Sequence, residues 1–390
     1  MTRLPGKNKG MNTQLAHIGY DPAEFHGFVN PPVVHASTVL FPDAGTMAAR
    51  NQKYTYGTRG TPTSDALAEA INELEGAAGT VIVPSGLAAV TLPLLAFLSA
   101  GDHVLITDSV YHPTRHFADT ILKRMGVEVE YYDPEIGERI SASMKPNTRV
   151  VFTESPGSNT FEMQDITAIA DAAHKGGAVV MMDNTWATPL YFKPLEYGVD
   201  VSIHAATKYP AGHSDVLLGT VSANRRTWKQ LHDTFVTLGC CAGPDDVYLV
   251  LRGLRTMGVR LAHHEKSALE LARWLEGREG VARVLHPALE SHRGHELWKR
   301  DFTGSSGLFS IVLDRGGEKE ANAFLDALDI FGLGYSWGGY ESLAVPVSLA
   351  DRTIAKGDYP GPVIRLQIGV EDVEDLKADI LKGLDAARRV

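Results

Sequence analysis

The sequence predicts an α/β protein organised on a mostly parallel sheet, and two observations carry that prediction. From about Ser64 onward, apolar runs of strand length alternate with helical patterns long enough to serve as crossovers. Hydrophobic residues make up 44% of the 390 and charged residues 22%, the usage of a chain that buries a core rather than one that stays disordered. This length allows two or three domains, or one large α/β domain with an appendage.

The elements follow in order. The first fifty or so residues are rich in Pro and aromatic side chains without a clear period, and read as an extended arm lying on another surface. Leu67, Ile71 and Leu74 then stand at i, i+4 and i+7, the stripe of a helix that Ser64 or Asp65 would cap and Gly76 would stop. Strands are expected at Val81–Val83, His103–Thr107, Val127–Tyr132, Arg149–Thr153, Ala178–Met182, Val201–His204 and Leu217–Val221. Helices at Arg115–Met125 and Gln164–His174 supply two of the crossovers. Tyr248–Gly277 reads as one long helix, interrupted or bent near Gly253 and Gly258, that bridges two domains. A smaller α/β unit follows, with strands at Gly307–Asp314 and Val363–Ile368 and helices at Lys319–Leu328 and Val373–Ala387. The expected division is an arm over 1–60, a large domain over 61–255 and a small domain over 256–390.

Several functions are disfavoured at once. With 47 acidic residues against 37 basic ones the formal charge is −10, which repels a phosphate backbone, and no basic patch stands out to reverse it. The longest apolar stretches, Leu92–Leu98 and Ala178–Met182, fall far short of the roughly 20 residues a membrane span needs. The first twenty residues are polar and broken by Pro5, Gly6 and Gly10, unlike a signal peptide. Cys240 and Cys241 are adjacent, a spacing strained for a disulfide. A cytoplasmic protein that binds neither nucleic acid nor membrane is the expectation.

Three features carry chemistry. Val201–Gly219 reads VSIHAATKYPAGHSDVLLG: a strand ends in small residues and Thr207, presents Lys208, and enters a Pro/Gly loop. Ligands of parallel α/β sheets sit beyond the strand ends, and a partly desolvated amine there suits Schiff-base chemistry with an aldehyde cofactor. Asp183 likewise ends an apolar strand, 25 residues earlier, and fits an acid that keeps a pyridine nitrogen protonated. Val81–Ala89 turns from strand to helix through Ser85 and Gly86, where free N–H groups and the helix dipole favour an anion such as a phosphate. Alone, a turn lysine, a turn-forming aspartate and a glycine in a strand–helix turn are each commonplace; together they compose a site for pyridoxal 5'-phosphate.

Those residues carry a resemblance. Tyr56-Gly57 with Arg59-Gly60-Thr61-Pro62-Thr63, Asp183-Asn184-Thr185, and Thr207-Lys208-Tyr209 with Gly212-His213-Ser214-Asp215 stand in the order and at the separations of the Cys/Met-metabolism family of pyridoxal-phosphate enzymes, which the chain resembles from about Tyr54 to Gly369. The resemblance implies a fold-type-I architecture, with a PLP-binding large domain of parallel sheet and flanking helices and a smaller C-terminal α/β domain. It implies that Lys208 holds the cofactor and later moves the substrate Cα proton, that Asp183 faces the pyridine nitrogen and that Tyr111 stacks on the ring. It further implies that Gly86, Leu87 and Thr207 hold the phosphate, that Arg365 clamps the α-carboxylate of an amino-acid substrate, and that Tyr56 and Arg59 reach in from a neighbouring subunit. A homodimer with shared sites, assembled as a tetramer, follows.

Within the family, Ser336-Trp337-Gly338 and Glu154-Ser155-Pro156-Gly157-Ser158 resemble the β-lyase branch, since γ-acting relatives tend to have Leu in place of Trp337 and Asn in place of Ser158. That branch implies α,β-elimination of L-cystathionine to homocysteine, pyruvate and ammonia in methionine biosynthesis, with cystine or cysteine as further substrates. A γ-acting synthase or lyase is the alternative. A non-enzymatic PLP-binding regulator has no evident need of the complete set of Lys208, Asp183, Tyr111 and Arg365. Two positions depart from the family: Thr58 stands where relatives place an arginine, and Ala205 where many have Ser. His292 and His295 lack a third ligand at metal-site spacing, and His263-His264 reads as a solvated helix face.

Overall fold

A computed structural model describes residues 9–390. Its larger sheet holds β1 (Gly79–Val83), β2 (His103–Thr107), β3 (Glu128–Tyr132), β4 (Thr148–Glu154), β5 (Val179–Asp183), β6 (Val201–His204) and β7 (Gly219–Ala223), in the order β1-β7-β6-β5-β4-β2-β3. Only β7 runs against its neighbours. The other six strands point one way, so their C-terminal ends open on the same edge. Two apolar clusters cover the faces of this sheet, one holding Leu105, Val151 and Met182 and the other Val104, Phe152 and Met181. Adjacent residues of one strand thus enter different clusters, as the period of two requires of a sheet buried on both sides.

A smaller sheet comprises β8 (Val281–Leu285), β9 (Leu308–Leu313), β10 (Gly332–Leu333), β11 (Leu343–Val347) and β12 (Val363–Gln367), in the order β10-β11-β12-β9-β8. β8, β10 and β11 were not anticipated. β8 has two exposed residues in five at a sheet edge, and β11 contains Pro346, which argues against a strand. β10 pairs only with Leu343 and Ala344, so Pro346 sits beyond its end and no partner there needs its missing N–H.

The 32-residue helix Pro244–Leu275 runs past both sheets without the break expected at Gly253 or Gly258. These glycines are points of close approach: a Cβ on Gly253 would lie 2.2 Å from the Pro210 carbonyl oxygen, and one on Gly258 would lie 2.2 Å from Asn12 Oδ1. Gly253 thereby lets the helix press against the loop that follows Lys208. His264 corrects the expected solvated face, since it is fully buried and its Nδ1 pairs with the Ile368 carbonyl at 2.7 Å; its neighbour His263 is exposed.

The chain ahead of the large sheet begins with a helix, Met11–His17, rather than extended chain. Leu15 and Ile18 bury against the long helix, and Arg255 donates to their carbonyls at 2.9 and 2.8 Å. Phe28, Val29, Leu40 and Met47, further along, are exposed. The helix Pro62–Glu75 is capped by Thr61, earlier than either expected residue, through a reciprocal pair with Ser64, and Gly76 ends it in the left-handed conformation. No helix among the described residues is long and apolar enough to cross a membrane.

Candidate active site

A cavity of about 250 Å³ opens where the C-terminal ends of β1, β4, β5 and β6 face the smaller sheet. Ser85, Gly86, Leu87, Tyr111, Glu154, Asp183, Thr207, Lys208, Trp337 and Arg365 all line it. One concave surface thus brings together most of the residues singled out in the sequence, drawn from positions up to 280 apart. Tyr56 and Arg59 lie elsewhere in the chain, on a second cavity lined also by Trp228 and Phe235.

Lys208 follows the end of β6, where its Nζ donates to Ser336 Oγ at 2.8 Å and stands 5.2 Å from the centre of the Trp337 ring. Burial pushes the amine down to about 8; the Arg365 cation adds to that fall and the Asp183 carboxylate opposes it. Trp337 also packs on Tyr209, ring centres 5.6 Å apart, so it fills the interior and walls the cavity with the same side chain. Arg365, on β12, donates from Nη2 to the Tyr335 carbonyl at 2.7 Å and from Nη1 to Asn159 Oδ1 at 3.3 Å.

Asp183 ends β5. Its Oδ1 accepts from the Thr185 backbone N–H at 3.0 Å and from the Thr185 hydroxyl. That hydroxyl in turn accepts from Ala205 N–H at 2.9 Å, so its own proton must point to Asp183. Oδ2 of Asp183 receives no hydrogen bond from the described residues, and burial raises the carboxyl above its ordinary value despite Thr185 and Lys208.

Beside it stands a residue whose role the sequence reading missed. Glu154 ends β4 in direct register with Asp183, and its Oε2 accepts from Tyr111 N–H at 2.7 Å, fixing the start of the Tyr111 loop. Burial first, and the Asp183 charge second, raise its carboxyl well above the usual range. The available signal was that both acids close an apolar run; their adjacency is set by strand pairing.

At the remaining corner, Ser85 caps the helix Gly86–Phe97 through Ala88 N–H at 3.1 Å. A Cβ on Gly86 would stand 2.5 Å from that of Ala205, so only glycine fits there. The Thr207 hydroxyl is held by the Leu218 main chain, 3.0 Å from its N and 3.2 Å from its O.

Known proteins give this geometry a family. The family profile for Cys/Met metabolism PLP-dependent enzymes matches residues 12–385. The chain belongs to that family. It is 67% identical over 388 residues to a provisionally named cystathionine β-lyase of Rhizobium johnstonii, with 98% of each chain covered. To the cystathionine β-lyase of Escherichia coli it is 46% identical over 389 residues, covering 96% of this chain and 98% of that one. Among solved structures, the cystathionine γ-synthase of Xanthomonas oryzae superposes with a TM-score of 0.91 at 34% identity, covering 98% and 99%. The fold is therefore that of the fold-type-I PLP enzymes, and pyridoxal 5'-phosphate is the cofactor.

The residues present fit that group. The cavity offers an amine lowered towards neutrality for an aldehyde, an acid with one oxygen left for a pyridinium N–H, and a helix N-terminus closely approached through Gly86 for a phosphate.

Proposed function

We propose that the protein is a carbon–sulfur lyase that cleaves L-cystathionine to homocysteine, pyruvate and ammonia, a step of methionine biosynthesis, and that accepts cystine or cysteine as further substrates. The observation that carries this reading is the single cavity joining Lys208, Asp183 and Arg365, on a chain similar along its whole length to cystathionine β-lyases. The γ-acting alternative finds less support, with lower identity to the γ-synthase and with Trp337 and Ser158 at the two branch positions.

Pyridoxal 5'-phosphate, held by Lys208, supplies an electron-accepting ring for charge developing at the substrate Cα. Asp183 would hold the pyridine nitrogen in its protonated form, and Tyr111, on the same cavity, would pack on the ring. Gly86, Leu87 and Thr207 hold the phosphate, Thr207 by turning its proton away from Leu218. Arg365 would take the α-carboxylate through its charge and the N–H groups that Tyr335, Ser336 and Asn159 leave free. Lys208, with its amine free, would take the Cα proton, and a value of about 8 suits it to that task close to neutrality. Ser336, 2.8 Å from Nζ, aims it; the proton taken from Cα would go to the departing β-sulfur, which leaves as a thiol, and one water converts the remaining three-carbon fragment to pyruvate and ammonia.

The test is to incubate the protein with L-cystathionine and quantify both keto acids together with thiol. Pyruvate and homocysteine in equal amounts are expected; 2-oxobutyrate would move the protein to the γ-acting branch, and neither keto acid would end the lyase reading.

The same proposal places the protein in the cytoplasm, divides it into the 1–60 arm, whose first eight residues lie outside the described ones, and the 61–255 and 256–390 domains, and makes it a homotetramer whose dimers share sites. Support for shared sites comes from Tyr56, half exposed and away from the Lys208 cavity of its own chain, beside an arm with exposed apolar side chains. Arg59 takes over the phosphate role that Thr58 cannot fill. Subunits carrying Tyr56→Phe and Lys208→Ala, each nearly inactive alone, are expected to regain activity when mixed into hybrids; hybrids that stay inactive would refute sharing.

A further inference from the structure

Asn159 stands in a conformation that few side chains other than asparagine and aspartate adopt readily. Its φ is +68°, in the left-handed region, and Phe161 two residues on has φ +62°. The loop is held there from several sides. Ser310 Oγ, on β9, donates to the Asn159 carbonyl at 2.7 Å, and Phe161 N–H donates to the Gly157 carbonyl at 3.0 Å. Arg352 Nη2 donates to the Ser158 carbonyl at 2.6 Å, and Ser158 N–H to the Ser109 carbonyl at 2.8 Å. A loop fixed so firmly in an uncommon conformation presents its side chain with little remaining freedom.

That side chain lines the Lys208 cavity and meets Arg365. A guanidinium has only donors, so the Asn159 amide must turn its oxygen to Nη1, and its NH₂ is then directed away from the arginine. Among the described residues, that NH₂ makes no hydrogen bond. The arginine and the amide therefore each keep a donor on the cavity that both residues line. Nη2 of Arg365 is tied to the Tyr335 and Ser336 carbonyls at 2.7 and 3.4 Å, which fixes the plane of the guanidinium.

Resting on the lyase reading, we propose that Asn159 is a second ligand of the substrate α-carboxylate, donating from Nδ2 to one oxygen while its Oδ1 holds Arg365 in place for the carboxylate. The site then recognises an α-amino acid by an arginine–amide pair drawn from both sheets, and the pair forms only when the β4 loop and β12 stand in this relation. Asparagine tolerates the left-handed φ, and its amide carries the acceptor for Arg365 and the donor for the substrate.

Glycine adopts φ +68° without strain, so Asn159→Gly removes the amide while leaving the loop free to keep its path. With protein reconstituted with pyridoxal 5'-phosphate, this variant is expected to raise KM for L-cystathionine about tenfold with kcat within about twofold, the loss of one hydrogen bond to a charged group. Asn159→Asp, which would pair with Arg365 and repel the substrate, is expected to raise it about a hundredfold. The second readout needs no turnover: L-alanine, which has no leaving group, is titrated by the change in cofactor absorbance, beside isopropylamine, which has no carboxylate. L-alanine binding should weaken about tenfold in Asn159→Gly and isopropylamine binding should not change. Equal binding of L-alanine by parent and variant would overturn the proposal, as would equal weakening of both ligands. If the parent fails to cleave cystathionine, the lyase reading falls, and the L-alanine titration still decides on Asn159.

Discussion

Asp108 and Asp183 occupy comparable places, the first immediately after β2 and the second closing β5, and their surroundings treat them in opposite ways. Asp108 is fully buried and saturated: the N–H groups of Thr353, Ile354 and Ala355 donate to it at 2.7–3.1 Å, and Arg115 Nη2 reaches Oδ1 at 2.6 Å. Burial alone would raise its carboxyl, but these donors outweigh burial and hold it down at about 2. It pins the segment after β11 to the end of β2. Asp183 has donors on one oxygen only, and its carboxyl is raised. A satisfied carboxylate is a structural tie; one left half-satisfied in a cavity keeps its capacity for a ligand.

Exchanging each aspartate for asparagine would sharpen this contrast. Asp183→Asn removes the charge facing the cofactor nitrogen and should lower kcat/KM by about a hundredfold to a thousandfold. Its melting temperature should stay within about 3 °C of the parent, because the carboxylate it replaces was not at ease. Asp108→Asn leaves Arg115 with only the more distant Asp351 carboxylate, 3.7 Å from its Nε, and sets an NH₂ against backbone donors, a cost of about 3 kcal/mol read in denaturant unfolding. Because its folded-state value lies below the 3.8 of the unfolded chain, the stabilisation from Asp108 is complete above about pH 4 and is lost as pH falls through about 2. The deficit of Asp108→Asn should therefore shrink by about 2 kcal/mol over that interval. A melting loss in Asp183→Asn equal to that in Asp108→Asn would erase the distinction.

Sequence reading reached Asp183 and Lys208 because each stands at the end of an apolar run, and in a parallel sheet those ends converge whatever the loops do. Arg365 and Tyr111 were reached through the family resemblance, and the cavity joins them to the first two. What stayed hidden depends on long-range pairing. The neighbourhood of Glu154 and Asp183 exists only in the β4–β5 register, the backbone donors to Asp108 come from 245 to 247 residues away, and Asn159 meets Arg365 only through a backbone angle and a contact 206 residues long in sequence. Gly253 and Gly258 misled for a related reason: glycine inside a helical pattern signals a break only when no other segment needs the space a side chain would fill.

The smallest expected effect concerns the amine itself. Burial, then Arg365, lower Lys208 to about 8, and Asp183 pulls the other way. Attachment of pyridoxal 5'-phosphate to the cofactor-free protein requires a neutral amine, so its rate should climb as pH rises through about 8 rather than near 10.5. Replacing Arg365 with Gln withdraws a like charge, favours the ammonium and should move the midpoint up by about half a unit. Burial persists in that variant, which keeps the midpoint below 10.5. Asp183→Asn withdraws an opposite charge and should move it down by a similar amount. Opposite shifts would show that the acid and the arginine act on Lys208 across the cavity; midpoints that stay fixed in both variants would leave burial as the sole cause and remove the electrostatic link between the two sheets.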